Sequence, residues 1–529
     1  MTAVEWADYP LFEYEKDLAR REIEALVGRD VLSFEAQVDA SDAVLLRQRA
    51  TYLRAVSGGG ISAATAQAEV EDLHRSVRGR KTKRQSTRFL VHGLHEYKGK
   101  FNPQLARALV NVVDPSCTAL IDPFCGSGTT LVEGLRLGLE VGGIDKNPLA
   151  VWLTGVKVDV LRASGEDGLA GRHLALSEKI TTAMDLAQSS GRAEVPQGVE
   201  AADEAYLRNW FPQEVLAALW AALDICYREP SLAADVARVN ISSLVRSISW
   251  QMPEDLRVRR RNKDWTPPRV ADLFAVAAAQ AHLALREVGG AAVVAGDLRA
   301  EIRAGSSADA ETVAAVVPDG RRLVVTSPPY ATALPYIDTD RLSIVLLGLG
   351  SAVDIRRLEQ NLTGSREWNT GVARAWAEAW ETNRDSLPSS VLDLLGTIQA
   401  SNERTDAGFR RAAVPTLLYR YFSQIGQTLD NLAESLKVGE RAVFVVGTNR
   451  TGKGEGLVEI ATPRLLAAVA ATRGFRVDEI IPLETWPRYG MHADNAVNSE
   501  DAVVLTVEKD QGRKARVSGS LGRSDKTSA

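Results

Sequence analysis

Apolar and polar positions follow two textures along this chain. From Thr118 onward, short apolar runs recur between longer stretches of helical periodicity: "TALIDPF", "LEVGGID", "AAVVAGD", "RRLVVTSPP", "ERAVFVVGTN", "VDEIIPLETW" and "DAVVLTV". Runs of this length, bounded by Gly, Pro and Asp, predict strands. Their alternation with helical segments predicts an α/β fold: a seven-stranded, mostly parallel sheet with helices on both faces. The last two runs are joined by a polar link and predict an antiparallel edge to that sheet.

The remaining segments read differently. In "FEYEKDLARREIEALV", Phe12, Leu18, Ile23 and Leu26 keep helical spacing, so residues 1–90 are read as a helical N-terminal region. Its basic run "RGRKTKR", Arg78 to Arg84, by itself reads as a solvated loop. Residues 161–289, which include "YLRNWFPQEVLAALWAALDI", and residues 351–412, which include "GSREWNTGVARAWAEAW", are too long for plain loops. Both are read as helical insertions, which leaves 91–160, 290–350 and 413–507 as the sheet domain. Residues 508–529 are small, basic and polar, and predict a disordered tail.

Composition narrows the function classes. The 529 residues are 45% hydrophobic and 25% charged, the proportions of a globular protein with room for two or three domains. The net charge of -5 gives no overall basic surface, so a nucleic-acid partner must be sought in local patches. The N-terminal stretch lacks a cationic flank with an apolar core, and no stretch reaches the roughly 18 apolar residues of a membrane span. A cytoplasmic, nucleoid-associated protein without a membrane is expected. Three cysteines, Cys117, Cys125 and Cys226, are too scattered for a disulfide framework or a zinc cluster, and no metal is expected.

Candidate chemistry sits at two strand ends. In "LIDPFCGSGTTLVEGLRLGLEVGGIDKNP" the first strand hands over to a helix near Thr129 through Asp122, Phe124, Gly126, Gly128, Thr129 and Thr130. Glycines there admit a ligand close to the backbone, and the helix start offers unpaired N–H groups. Asp145 ends the next strand, where an acid can accept hydrogen bonds from ribose hydroxyls. Taken alone, the loop also reads as a tight turn with a capping aspartate, and a nicotinamide enzyme stays open, although the third glycine of that fingerprint is absent. The second strand end is "TSPPYATALPY": Pro328 and Pro329 fix a rigid turn that holds Ser327 and Tyr330. The Ser327 hydroxyl and the Pro328 carbonyl can accept hydrogen bonds, while the Tyr330 ring offers a face to a planar heterocycle. Alone, such a turn also simply ends a strand.

Together, DPFCGSGTT and SPPY resemble the S-adenosylmethionine-dependent DNA amino-methyltransferases, which carry a glycine-rich cofactor loop and a [DNS]PP[YFW] catalytic motif. The resemblance implies a Rossmann-like class I methyltransferase fold, S-adenosyl-L-methionine as cofactor and double-stranded DNA as partner. "HEYKGKFNPQLARALV" is similar to the segment preceding the family's cofactor loop, so Lys100 and Phe101 are implied cofactor contacts, with Pro103 matching as well. Without the resemblance the same stretch reads as a helix entry, with Asn102 capping and Pro103 in the first helical position. Asp297, placed after the expected third strand, matches the family's adenine-binding acid, and as a bare acid also reads as a helix cap.

A serine opening the SPPY motif is the family form most associated with cytosine N4, while aspartate or asparagine is usual for adenine N6. Cytosine C5 chemistry would need an activated cysteine in a proline-cysteine motif, which neither "DPSCTAL" nor "DPFCGS" supplies. Reaching an amine inside a duplex requires flipping the base, so DNA contacts are expected in the insertions, with residues 161–289 as the target-recognition region. Arg257, Arg259, Arg260, Arg261 and Lys263, beside Trp265, form the densest basic patch and are the candidate DNA contacts. An exposed helix end is the plain alternative for that run. "GSREWN", Gly364 to Asn369, is a further candidate. Arg488, Tyr489 and His492 belong more simply to a polar hairpin, and Asn498 and Glu500 resemble a recurrent terminal pattern with no assigned chemistry.

Three function classes remain at this point. A site-specific DNA methyltransferase acting on cytosine N4, with adenine N6 as its variant, leads. An RNA or tRNA guanine methyltransferase would call for an added RNA-binding domain, which is not recognised here. A non-catalytic DNA-binding subunit of a defence system conflicts with the intact Ser327–Tyr330 motif. A restriction endonuclease or defence-system protein is a candidate partner.

Overall fold

The computed structural model describes residues 3–29, 38–79, 85–97, 99–165, 168–253, 259–262, 264–291, 295–331, 336–366, 368–383, 386–404, 408–452, 454–484 and 499–508. Its main sheet has seven strands, numbered here along the chain. They are β1 Ala119–Asp122, β2 Glu140–Asp145, β3 Ala300–Ala304, β4 Arg322–Thr326, β5 Arg441–Gly447, β6 Phe475–Glu484 and β7 Ser499–Val507. The order across the sheet is β6-β7-β5-β4-β1-β2-β3. β3, β2, β1, β4 and β5 pair in parallel, and β7 runs antiparallel to both β5 and β6. This is a Rossmann-like α/β sheet with the expected antiparallel pair at one edge. From β1 the chain winds outward to β2 and β3, then crosses back to β4, so the order reverses between β1 and β4. The loops leaving those two strands diverge and open a crevice at their carboxyl ends.

Strand residues alternate between two cores, as a sheet covered on both faces requires. Leu323 and Val325 of β4, with Val443 and Val445 of β5, face one core. Val324, Ala442, Phe444 and Val446 face the other. The first core also holds the helices of the expected 161–289 insertion, Leu169–Ser190, Ala201–Trp210, Gln213–Arg228, Leu232–Ile248 and Val270–Gly290. This insertion therefore shares its hydrophobic core with the sheet domain. The 351–412 segment supplies helices Thr370–Thr382 and Ser389–Arg404, which cover the opposite face through helix Val414–Ser435.

Two expectations are corrected. The third strand of the sheet is "AEIRA" at β3, which begins nine residues after the start of "AAVVAGD", a run whose residues 292–294 lie outside the described residues. β3 is an edge strand with partly exposed residues, so it needs few apolar side chains, and the periodicity reading chose the more apolar neighbour. The N-terminal region is not wholly helical. Besides helices Glu13–Val27, Ala40–Arg49 and Ala66–Val77 it holds a three-stranded antiparallel sheet, Val4–Trp6, Leu53–Gly58 and Ile61–Ala64. The signal was present: Gly59 and Gly60, with φ of 59° and 82°, form the two-residue hairpin turn between its last two strands.

Candidate functional site

The loop after β1 is shaped from behind. Gly126 and Gly128 take φ of 50° and 79°, left-handed values that favour glycine. A Cβ on Gly128 would stand 2.5 Å from Thr154 Cγ2, so helix Pro148–Arg162 is packed against the loop without space for a side chain. That helix also holds the loop's carbonyls: Thr154 Oγ1 donates to Gly126 O at 2.9 Å and Lys157 Nζ to Ser127 O at 2.7 Å. Lys157 is fully buried, and burial pushes its ammonium pKa well below the usual lysine range. With these carbonyls turned back, the start of helix Thr129–Arg136 presents its first N–H groups at the cleft, where Thr129 and Thr130 form part of the wall.

Asp145 closes β2 and braces the same loop. Its Oδ2 accepts from Gly126 N at 2.9 Å and its Oδ1 from Asn147 N at 2.8 Å. The Lys146 N–H also donates to this carboxylate, whose two oxygens together still have acceptor capacity to spare, and burial raises the carboxyl pKa. Asp122, buried at the end of β1, accepts from Phe124 N at 3.0 Å and from Thr326 Oγ1 at 2.6 Å. Burial pushes its carboxyl up to about 6. The Thr326 contact ties the end of β1 to the end of β4, across the crevice's floor.

Residues preceding β1 form the opposite wall. Asn102 Oδ1 accepts from Gln104 N and Leu105 N, with Pro103 as the first residue of helix Pro103–Val113. Lys100 Nζ donates to Thr87 O at 2.6 Å and His92 O at 2.9 Å, and burial lowers its pKa to about 7. His92 Nε2 in turn bonds the buried Glu133 of helix Thr129–Arg136 at 2.8 Å. Tyr97, Lys100, Phe101, Asp122, Phe124, Gly126, Thr129, Thr130 and Ser327 line one cleft. Ser127 also lines it, and its buried Oγ has no hydrogen-bond partner.

The SPPY turn enters this cleft directly from β4. Ser327 is a wall residue, Pro328 is buried, and Pro329 and Tyr330 are half-buried. The Tyr330 hydroxyl donates to Glu500 Oε1 at 2.5 Å, and Asn449 Nδ2 donates to Ala331 O at 2.7 Å. Ser327 therefore stands beside the loop of Gly126–Thr130, as the two sequence motifs require.

Other expected residues lie elsewhere. Asp297 sits in a turn before β3, at the amino edge of the sheet and away from the crevice, because the true third strand starts after it. The segment that does follow β3 is Gly305–Asp309, with Gly305 N bonded to Asp145 O. Arg257 and Lys263 lie outside the described residues, as do Arg488, Tyr489, His492 and Asn498. Arg259 is exposed. Arg260 bonds Asn209 Oδ1 and Asn209 O, and Arg261 bonds the carbonyls of Ser249, Gln251 and Ser247. These two arginines stack on tryptophans: Arg260 on Trp210 and Trp250, Arg261 on Trp265 at 4.3 Å. Arg341, on helix Tyr336–Leu346 just past the SPPY turn, lies over Trp210 at 4.1 Å. Arg78 is spent on Glu287 and Gln280 inside the fold. Among the described residues no helix is long and apolar enough to cross a membrane.

Sequence reasoning left out Thr326, Asn147, Thr154, Lys157, Asn449 and any role for Glu500. Asn147 had a readable signal in "KNP", where it caps helix Pro148–Arg162 through Leu149 N; its Nδ2 also reaches Tyr97 Oη and Asp340 Oδ2. Residues 94–156 match a family model described as UPF0020, RMKL-like, methyltransferase domain. The chain is 43% identical over 82 residues to the Type II methyltransferase M.MvaI of Kocuria varians, covering 15% of this chain and 18% of that protein. It is 46% identical over 72 residues to the Type II methyltransferase M.MjaII of Methanocaldococcus jannaschii, 13% of each chain. With the Type II methyltransferase M.AvaI of Nostoc sp. it shares 22% identity over 406 residues, 74% of this chain and 80% of that one. The first two likenesses thus span less than a fifth of those relatives.

The methyltransferase match implies S-adenosylmethionine as the methyl donor. The cleft's own residues fit that molecule. It pairs a glycine loop and free helix-start amides with an unpartnered buried hydroxyl on Ser127 and spare acceptor capacity on Asp145.

Proposed function

We propose that this chain is a site-specific DNA methyltransferase acting on the exocyclic amine of a flipped-out base, with cytosine N4 as the favoured position. The observation that carries the reading is Ser327 in the wall of the glycine-loop cleft. The likeness to Type II methyltransferases supports a DNA substrate. The bound cofactor would supply an electrophilic methyl group. Gly126, Gly128, Thr129, Thr130 and Asp145 would hold it, with Phe101 and Phe124 closing the walls.

The chain's own residues account for the rest. An exocyclic amine is a poor nucleophile because its lone pair is delocalised into the ring. Acceptors at Ser327 Oγ and Pro328 O draw its N–H bonds out of that plane and favour the pyramidal nitrogen of the transition state. As the new N–C bond forms, the S–CH3 bond of the sulfonium donor would break to leave a neutral thioether, the methylated nitrogen would release one proton to water, and no covalent bond to the protein forms. Tyr330 provides a ring face for the flipped base, and most of the acceleration comes from positioning. For the DNA backbone we assign the arginine–tryptophan ladder of the 161–289 segment, where Arg259 and Arg260 are exposed and Arg341 links the ladder to the helix after the SPPY turn.

The test is product analysis. Purified protein, labelled S-adenosylmethionine and unmethylated bacterial DNA or total RNA are incubated, digested to nucleosides and separated. N4-methylcytosine in DNA, lost on Ser327→Ala, supports the reading in full. N6-methyladenine keeps the site and overturns the base. Label confined to RNA, or no label with intact cofactor binding, overturns the DNA reaction.

A further inference from the structure

We propose that Glu500 is a positioning residue for this reaction, fixing the Tyr330 ring through its hydroxyl so that one face of the ring is set toward the cleft. The inference rests on the reaction proposed above. It starts from topology. Every strand of the sheet except β7 runs toward the crevice with its carboxyl end, so those strands can offer only their last residues to it. β7 is reversed and delivers its first residues instead. Glu500 pairs with Gly447 at the end of β5 and with Leu483 near the end of β6, which places its carboxylate at the catalytic edge. There it accepts the Tyr330 hydroxyl, 170 residues away in the chain.

This contact differs in kind from the others in the turn. Pro328 and Pro329 fix the backbone, and Asn449 on Ala331 O fixes the exit of the turn, but neither constrains the tyrosine side chain. A tyrosine with a free hydroxyl can still rotate about its first two side-chain bonds. A phenol donating to a carboxylate is a charge-assisted bond, stronger than a neutral one, and it closes that freedom. A base stacking on the ring would then meet a surface already in place, without a cost of ordering it.

A double-mutant cycle on the full chain tests this, using Tyr330→Phe, Glu500→Ala and the pair, with Glu500→Gln as the variant that keeps an acceptor. Two readouts are taken: thermal unfolding, and kcat on the DNA substrate with the KM for S-adenosylmethionine measured alongside. The expected result is a fall in kcat of about tenfold for either single change, no further fall in the pair, partial rescue by Glu500→Gln and an unchanged cofactor KM. Wild-type kcat in Glu500→Ala, or losses that simply multiply in the pair, overturns the proposal, as does coupling seen in unfolding but not in kcat. A wild-type protein that methylates no nucleic acid overturns the reaction and with it the positioning role, while coupling in unfolding then reports a structural bond alone.

Discussion

The two halves of the candidate site are built in opposite ways. The glycine loop is held by near neighbours in the chain: Gly126 by Asp145 and Thr154, 19 and 28 residues on, and Ser127 by Lys157, 30 residues on. The SPPY turn is held from far away: Thr326 by Asp122 at a separation of 204, Ala331 by Asn449 at 118 and Tyr330 by Glu500 at 170. One β-α-β-α unit makes the first half nearly self-contained. Only the complete sheet makes the second. Loops closed locally carry little chain entropy, whereas contacts of high sequence separation exist only after the whole fold has formed. Damage to the first half should therefore stay local, and the second half should register damage anywhere in the sheet.

The largest expected effect breaks the comparison at the chemistry. Ser327→Ala removes an acceptor that acts in the transition state, so kcat should fall by about 10²–10³-fold while cofactor affinity holds, as read by calorimetric titration beside the methylation assay. Loss of cofactor binding together with activity would mean that the halves are one unit. The converse change is Gly128→Val. It forces a β-branched residue into a left-handed conformation against Thr154, at a cost of about 3 kcal/mol. Cofactor affinity should weaken by roughly a hundredfold, and the SPPY turn should keep its structure.

This difference in construction explains what was readable in advance. The glycine loop, Asp145 and the Asn102–Pro103 helix entry depend on local backbone rules, and the residues that satisfy them lie close by in the chain. Six of the seven strands were legible for the same reason, since each buries enough apolar surface to show a pattern. β3 was not, because an exposed edge strand has little to bury, and its misplacement carried Asp297 to the wrong edge of the sheet. Glu500 was visible as a residue but had no role, because its partner is set by strand order and no periodicity encodes strand order. The basic run 257–263 shows a different limit: sequence counts charges, but Arg261 has committed its guanidinium to backbone carbonyls, while Arg260 bonds Asn209 and stays exposed.

A pH series sharpens the comparison further. Asp122 belongs to the loop by sequence and to the turn by its bond to Thr326, and burial pushes its carboxyl up to about 6. A carboxyl raised in the folded state binds its proton more tightly there than in the unfolded chain. Its contribution to stability is therefore greatest below pH 4 and is lost as pH rises through about 6, by about 2–3 kcal/mol in total. Asp340, also pushed up to about 6 by burial, adds a slope of the same sign. In thermal unfolding between pH 4 and 7, Asp122→Asn should remove part of that slope and leave the share due to Asp340. An unchanged slope would place the Asp122 proton elsewhere.

The smallest expected effect falls on the side-chain bond that joins the two halves. Thr326→Val keeps the shape of the strand end but removes the hydroxyl that donates to Asp122, which leaves a buried carboxylate with one donor fewer. The cost in stability should be about 1–2 kcal/mol. If the halves are mechanically separate, that cost appears in unfolding alone, and both cofactor affinity and kcat stay within about twofold of wild type. If the bond sets the distance between glycine loop and SPPY turn, kcat falls several-fold at unchanged affinity, because Ser327 is the next residue along and moves with the strand end. The second result is the one expected, since β1 and β4 are the two strands that open the crevice, and Thr326–Asp122 is a direct side-chain bond between their carboxyl ends.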